Sequence, residues 1–181
     1  MRSSATVRIL AIAIASAAVG GGTAAEGASP GGPGDLAVGS ALNHFPTPLG
    51  PGFARLNVAA HSDASGLNPR GNVEADGTTG APMGAFHVGG PVTCVRVDGN
   101  RAAIKYRFDR ATGSAATFKG GGVEVFVEDN GPPRDGHPVD ANAFNPPQLA
   151  GAFQLGQSQC DDPNTMSYNT VISGNYTVRD R

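Results

Sequence analysis

The chain has 181 residues, a formal net charge of −2, 39% hydrophobic residues, no Trp and two cysteines. That is enough for one domain with a core. Its 13 Lys and Arg are set among 15 Asp and Glu without a basic stripe, which disfavours nucleic-acid binding, because phosphate neutralisation needs clustered cations. With 27 Gly and 14 Pro, sustained helix is penalised almost everywhere.

The N-terminus reads as an address. Arg2 and Arg8 flank a short positive region, and residues 9–19 are apolar but too few to span a bilayer. Small residues follow, ending in Thr23-Ala24-Ala25. Residues 1–25 are therefore expected to be a secretory signal peptide cut after Ala25, the alternative being a buried N-terminal helix. No Cys lies near the cut, so a lipoprotein anchor is not suggested, and no later apolar run is long enough for a membrane span. Removing residues 1–25 takes away Arg2 and Arg8 and no acid, which moves the net charge from −2 to −4. Lys occurs only at 105 and 119, and with the many Ala and Gly this suggests a GC-rich bacterial genome. Two cysteines in an exported chain are read as one disulfide, Cys94–Cys160. A redox or metal-binding thiol pair lacks the CxxC spacing and nearby histidines it would need.

Residues 26–40 are rich in Gly, Pro and Ser and read as a flexible leader, leaving 41–181 as a single β-domain. A short strand is expected over 41–45, broken by Pro46, Pro48 and Pro51. Residues 53–61 alternate, with Leu56, Val58 and Ala60 on one face. Residues 62–71 are turn chemistry, 72–76 a strand, 77–82 a turn and 83–88 a strand. Gly89-Gly90-Pro91 leads into a hairpin over 92–108. Residues 111–115 read as loop, and Thr117 and Phe118 as the start of a strand stopped by Gly120-Gly121-Gly122. Residues 123–129 form a strong strand, with Val123, Val125 and Val127 on one face and Glu124, Phe126 and Glu128 on the other. Pro132 and Pro133 end it. Residues 134–147 give no assignment. Residues 149–155 are expected as a strand, 156–168 as a polar loop carrying Cys160, and 170–179 as a closing strand bent or bulged at Gly174. Short strands punctuated by turns predict an all-β fold, an antiparallel sandwich or barrel of about seven to nine strands.

The hairpin register can be argued. With Gly99-Asn100 as the turn, Asp98 faces Arg101, Val97 faces Ala102 and Val95 faces Ile104. With Asp98-Gly99, Arg96 would face Arg101, and like charges opposite each other destabilise a pair. A three-residue loop would swap the faces. The first register places Thr93, Val95 and Val97 on one side with Ala102, Ile104 and Tyr106, and Asn and Gly accept the positive φ of such turns.

Three stretches together, GGPVTCVRVDGNRAAI, VEVFVEDNGPPRDG and ISGNYTV, resemble a large set of secreted bacterial β-domain proteins of actinobacterial type. In that set a strand with a central Cys enters a Gly-Asn turn, a Val-rich strand ends in Asp-Asn-Gly-x-Pro, and a second Cys precedes the closing strand. The resemblance spans roughly residues 53–180 and implies an exported β-domain with no established activity. Here HPVDANAFNPPQ intervenes after the Asp/Gly loop, a departure that leaves the strand order after residue 131 open.

No catalytic motif is present. The G-x-S-x-G elbow of serine hydrolases is missing, and His44, His61, His87 and His137 have no metal-ligand spacing. Glu124 and Glu128 stand about 13 Å apart on a strand, too far for a glycosidase pair, and read as a solvated face. Gly120-Gly121-Gly122 lacks the Lys-Ser/Thr of a phosphate loop, and the sequon at Asn175 reads as chance. Exposed aromatic platforms for carbohydrate are not indicated. The ionic alternative is calcium: Asp129, Asn130, Asp135 and Asp140 sit in one loop, and Asp161, Asp162 and Asn164 in another, as oxygen-rich loops that could wrap the ion or simply as turn residues. The expectation is an exported, non-enzymatic β-domain of unknown partner and without cofactor, acting by binding or structure. A calcium-dependent binding module and a small secreted hydrolase with an unrecognised site are the alternatives.

Overall fold

A computed structural model describes residues 34–47, 50–63, 67–79 and 84–180. The expected signal peptide, 1–25, and the first part of the leader lie outside them. The strands are β1 (Leu36–Thr47), β2 (Gly50–His61), β3 (Arg70–Thr79), β4 (Gly84–Asp98), β5 (Arg101–Arg107), β6 (Arg110–Gly113), β7 (Gly122–Glu128), β8 (Ala141–Phe144), β9 (Asn169–Thr170) and β10 (Ser173–Arg179). One short helix, α1 (Ala150–Gln154), lies between β8 and β9. The expected all-β architecture is present as one antiparallel sheet in the order β10-β1-β2-β3-β4-β5-β7-β8-β9, with β6 also on β4, curled into a half-barrel.

The two ends of this sheet are consecutive in sequence. β9 pairs with β8 and β10 with β1, so residues 171–172 join one edge to the other. The Val171 N–H donates to the Asp140 carbonyl (3.0 Å) and the Ile172 N–H to that of Leu42 (2.8 Å). The inward faces follow strict alternation. Leu56, Val58 and Ala60 of β2, Val73 and Ala75 of β3, and Val123, Val125 and Val127 of β7 are all buried in one cluster. Tyr176 of β10 lies across β1 at Gly39, where a Cβ would fall 2.8 Å from the Tyr176 Cα and 3.0 Å from its ring. That close approach, together with φ +147, requires glycine there.

The central hairpin has the expected register over its tip: Asp98 faces Arg101, Val97 faces Ala102 and Val95 faces Ile104. Gly99 has φ +62 and Asn100 does not share it, so only the first turn residue is left-handed, as in a type II′ turn. Below the tip the expectation fails at Thr93. A bulge between Val92 and Cys94 sets Val92, not Thr93, opposite Tyr106. The extra residue reverses the parity of β4, so Val88 and Val92 point inward before it and Val95 after it.

Other segments differ from expectation for identifiable reasons. β1 begins at Leu36, inside the segment read as leader, and continues through Pro46. Its pairing with β10 stops at Leu42, and a strand edge without a partner tolerates proline. β3 runs on to Thr79, and β4 continues unbroken through Gly89-Gly90-Pro91. Residues 110–113 form β6 rather than loop, and residues 116–118 form a 3-10 turn rather than a strand. Residues 149–155, read as a strand, contain α1, which buries Phe153 alone. The unassigned stretch contains β8. The closing strand is interrupted at residues 171–172 rather than bulged at Gly174, whose pairing with Ala41 is in register.

Residues 148–168 lie over the outward face of β5 and β7. They are tied down by the disulfide Cys94–Cys160, with Cα atoms 5.7 Å apart. Beneath them Ala103, Phe126 and Ala143 form a second small core, with Cys160, Met166 and Tyr168 packed against it.

Candidate functional site

The outward face of β7 is not solvated. Glu124 is only 3% exposed, which corrects the expectation for this residue. Its Oε1 accepts the Asp161 N–H (2.8 Å), and its Oε2 accepts from Asn145 Nδ2 (3.2 Å) and lies 3.5 Å from Lys105 Nζ. Burial raises the Glu124 pKa, and the Asp161 amide and Lys105 oppose the rise. Lys105 also donates to the Gly156 carbonyl (3.3 Å) and to that of Gln159. These groups line a small polar pocket of about 150 Å³ with Gln148 and Phe153. Lys105, Glu124 and Asp161 each already have a partner inside the chain. Glu128 is also part-buried, paired with Arg101 (2.7 Å), whose guanidinium stacks 4.9 Å from the Tyr168 ring centre.

The calcium candidates hold backbone. Asp140 is 1% exposed. Its Oδ1 accepts the Asn130 N–H (2.9 Å) and its Oδ2 the Tyr176 N–H (2.6 Å). Asp129 accepts the Gly131 N–H (2.9 Å) and the Val178 N–H (3.1 Å). Tyr176 and Val178 are the alternate residues of β10 whose N–H groups turn away from β1, so two carboxylates stand where a further strand would be. Burial raises the Asp140 pKa, and the two amides oppose the rise. Asn130 donates to the Val139 carbonyl (3.0 Å) and to Glu128 (3.1 Å). Asp135 stands in the exposed Arg134–His137 turn at φ +51. In the second cluster, Asp162 caps a 3-10 turn through the Asn164 N–H (2.9 Å) and pairs with Arg96 (3.1 Å), and Asn164 donates to Asp98 (2.7 Å). The histidines are scattered: His87 bonds Asp76 (2.6 Å), and His44 meets the Phe53 ring edge-on. Among the described residues no three His, Cys, Asp or Glu side chains gather to hold a metal ion.

A second concavity, larger than the polar pocket, is one to which no motif points. A cavity of about 980 Å³ enters the half-barrel, near the upper end of the usual range for small-molecule sites, about 300–1,000 Å³. Its inner wall is apolar: Ala75, Val88, Tyr106, Phe108, Val123 and Val125 line it and all are buried. Its position follows from where pairing stops. β10 covers β1 only as far as Leu42, and β9 covers β8 only at Ala141 and Asn142. Past those points the lining passes to half-buried Phe144 and to exposed His44, Pro146, Ser167 and Asn169, so the cavity opens on that side. Among the described residues, no Asp, Glu, Lys or Arg lines the cavity, and His44 is the only imidazole that does.

No protein-family model matches the chain, and neither a curated protein nor a solved structure is significantly similar to it. Among the described residues no helix is long and apolar enough to cross a membrane.

Proposed function

We propose that this chain is an exported, non-enzymatic β-domain that binds a small apolar molecule inside its half-barrel. The observation that carries the reading is the cavity of about 980 Å³ with an apolar inner wall. A hydrocarbon surface entering it leaves water at about 25 cal/mol per Å², and a preformed rigid sheet spares much of the ordering cost of binding. Export is supported by the signal-like N-terminus, by the resemblance to secreted β-domains and by a disulfide, which persists in oxidising compartments.

The test is titration with a fluorescent apolar probe such as phenylnaphthylamine. Saturable binding at one site per chain is expected, and Ala75→Phe, which places a ring in the cavity, is expected to abolish it. Leu155 is 92% exposed on the far segment, so Leu155→Asp should leave binding intact. Absence of saturable binding, or binding indifferent to Ala75→Phe in a variant that still folds, would overturn the proposal.

A further inference from the structure

Among the buried residues that line the cavity, Tyr106 alone carries a polar side-chain atom, its hydroxyl; the other polar lining residues, Thr79, Ser114, Asn145 and those at the opening, are half-buried or exposed. The chain has three tyrosines, and the other two are provided for. Tyr168 donates to the Pro163 carbonyl (2.9 Å), and Tyr176 accepts from Asn43 Nδ2 (3.4 Å). Tyr106 is 1% exposed, and its ring packs edge-on against Phe108 with centroids 5.4 Å apart. Its neighbours across the strands are Val92 and Val123. Its hydroxyl has no hydrogen-bond partner among the described residues.

Asn43 Oδ1 and Asn142 Nδ2 are fully enclosed without a partner, whereas the Tyr106 hydroxyl is not sealed off, so it is left to bond what occupies the cavity, which a phenylalanine at the same place could not do. The sequence around it shows no difficulty in placing plain apolar side chains: Ile104 and Phe108 flank it at the same spacing, and both are buried in the same cluster. The wall therefore keeps a hydrogen-bonding atom at a position where packing alone asks for none. Burial holds the phenol neutral by raising its pKa, so it donates a hydrogen bond and does not act as an anion.

The rest of the wall says what it donates to. No cation lines the cavity among the described residues, and His44 lies at the opening. A carboxylate or phosphate drawn inside would give up its hydration without a countercharge, which costs far more than one hydrogen bond returns. We propose that the cavity takes a neutral, mostly hydrocarbon molecule bearing one oxygen acceptor, an alcohol, ketone or ester, whose oxygen is bound by the Tyr106 hydroxyl. This rests on the cavity being a binding site and adds the class of molecule and the residue that selects it.

Displacement of the fluorescent probe by decane, decanol, decanone and decanoate, on the wild type and on Tyr106→Phe, separates the two claims. In Tyr106→Phe, affinity for decanol and decanone should fall about fivefold to tenfold, the worth of one hydrogen bond, while affinity for decane stays unchanged. Decanoate at neutral pH should bind the wild type more weakly than decanol. Thermal melting of ligand-free Tyr106→Phe should be no lower than that of the wild type, since no internal hydrogen bond is lost. If none of the four displaces the probe from the wild type, the cavity reading itself falls. If decane binds but Tyr106→Phe leaves decanol and decanone unaffected, or weakens decane equally, only the role of Tyr106 is overturned. Decanoate binding more tightly than decanol overturns the neutral-ligand class.

Discussion

Asp140→Ala tests how the half-barrel is held shut. The carboxylate accepts the Tyr176 N–H at 2.6 Å and the Asn130 N–H at 2.9 Å, and hydrogen bonds to a charged acceptor contribute about 1.5–3 kcal/mol each. Against that gross value stands the cost of burying the carboxylate, which the upward shift of its pKa records. A net loss of about 2–4 kcal/mol is expected, or about 5–15 °C in melting temperature for a domain of this size. Asp140→Asn keeps one acceptor oxygen and should lose about half as much. Urea unfolding followed by circular dichroism gives the free energy. Amide exchange gives the location, because the Tyr176 amide should lose protection while inner amides of β2 and β3 keep theirs. An Asp140→Ala variant within about 0.5 kcal/mol of the wild type, the ordinary range for a surface change, would refute the reasoning. So would a melting temperature that rises with CaCl₂ in the wild type and not in Asp140→Ala, since these oxygens would then serve a cation before the backbone.

The double variant Cys94→Ala, Cys160→Ala should lose about 4 kcal/mol in the chain-entropy account for a separation of 66 residues. Mass spectrometry of non-reduced exported protein should find no free thiol. Glu124 and Asp140 both have folded pKa values above their ordinary ones of 4.5 and 3.8. The folded state therefore binds more protons than the unfolded state in the window just above those values, and stability falls as pH rises through it. Glu124→Gln should remove the part of that slope beginning near pH 4.5, read as urea midpoints against pH. An unchanged slope would mean that burial does not perturb this carboxyl.

Alternation made most of the sheet legible. Leu56, Val58 and Ala60 share a buried face as their spacing requires, and so do Val123, Val125 and Val127. The turn at Gly99-Asn100 was legible because like charges oppose the competing register. What local pattern could not convey was tertiary. The bulge at Thr93 answers to the partners of β4, which pairs with β5 below the hairpin tip and with β6 further back. Glu124 and Glu128 looked solvated because alternation assigns a face and says nothing of what lies on it. The segment 148–168 covers that face, and only the long-range disulfide hinted that it would. Asp129 and Asp140 were read as a loop cluster because their acceptors' donors, Val178 and Tyr176, stand 49 and 36 residues away.

The cavity was hidden for a more general reason. A strand that lines a hollow and a strand that packs a solid core carry the same alternation, so periodicity cannot tell them apart. The difference lies in volume. Ala54 and Ala75 stand on the inward faces of β2 and β3 and line the cavity, where small side chains leave space that a close-packed interior would fill. Stability alone would favour larger residues there, since apolar wall atoms without neighbours forfeit dispersion contacts. The alanines that line the cavity along with Tyr106 and Phe108 are thus the trace that a hollow leaves in a β-sequence: small side chains at some inward positions, and pairing that stops short nearby.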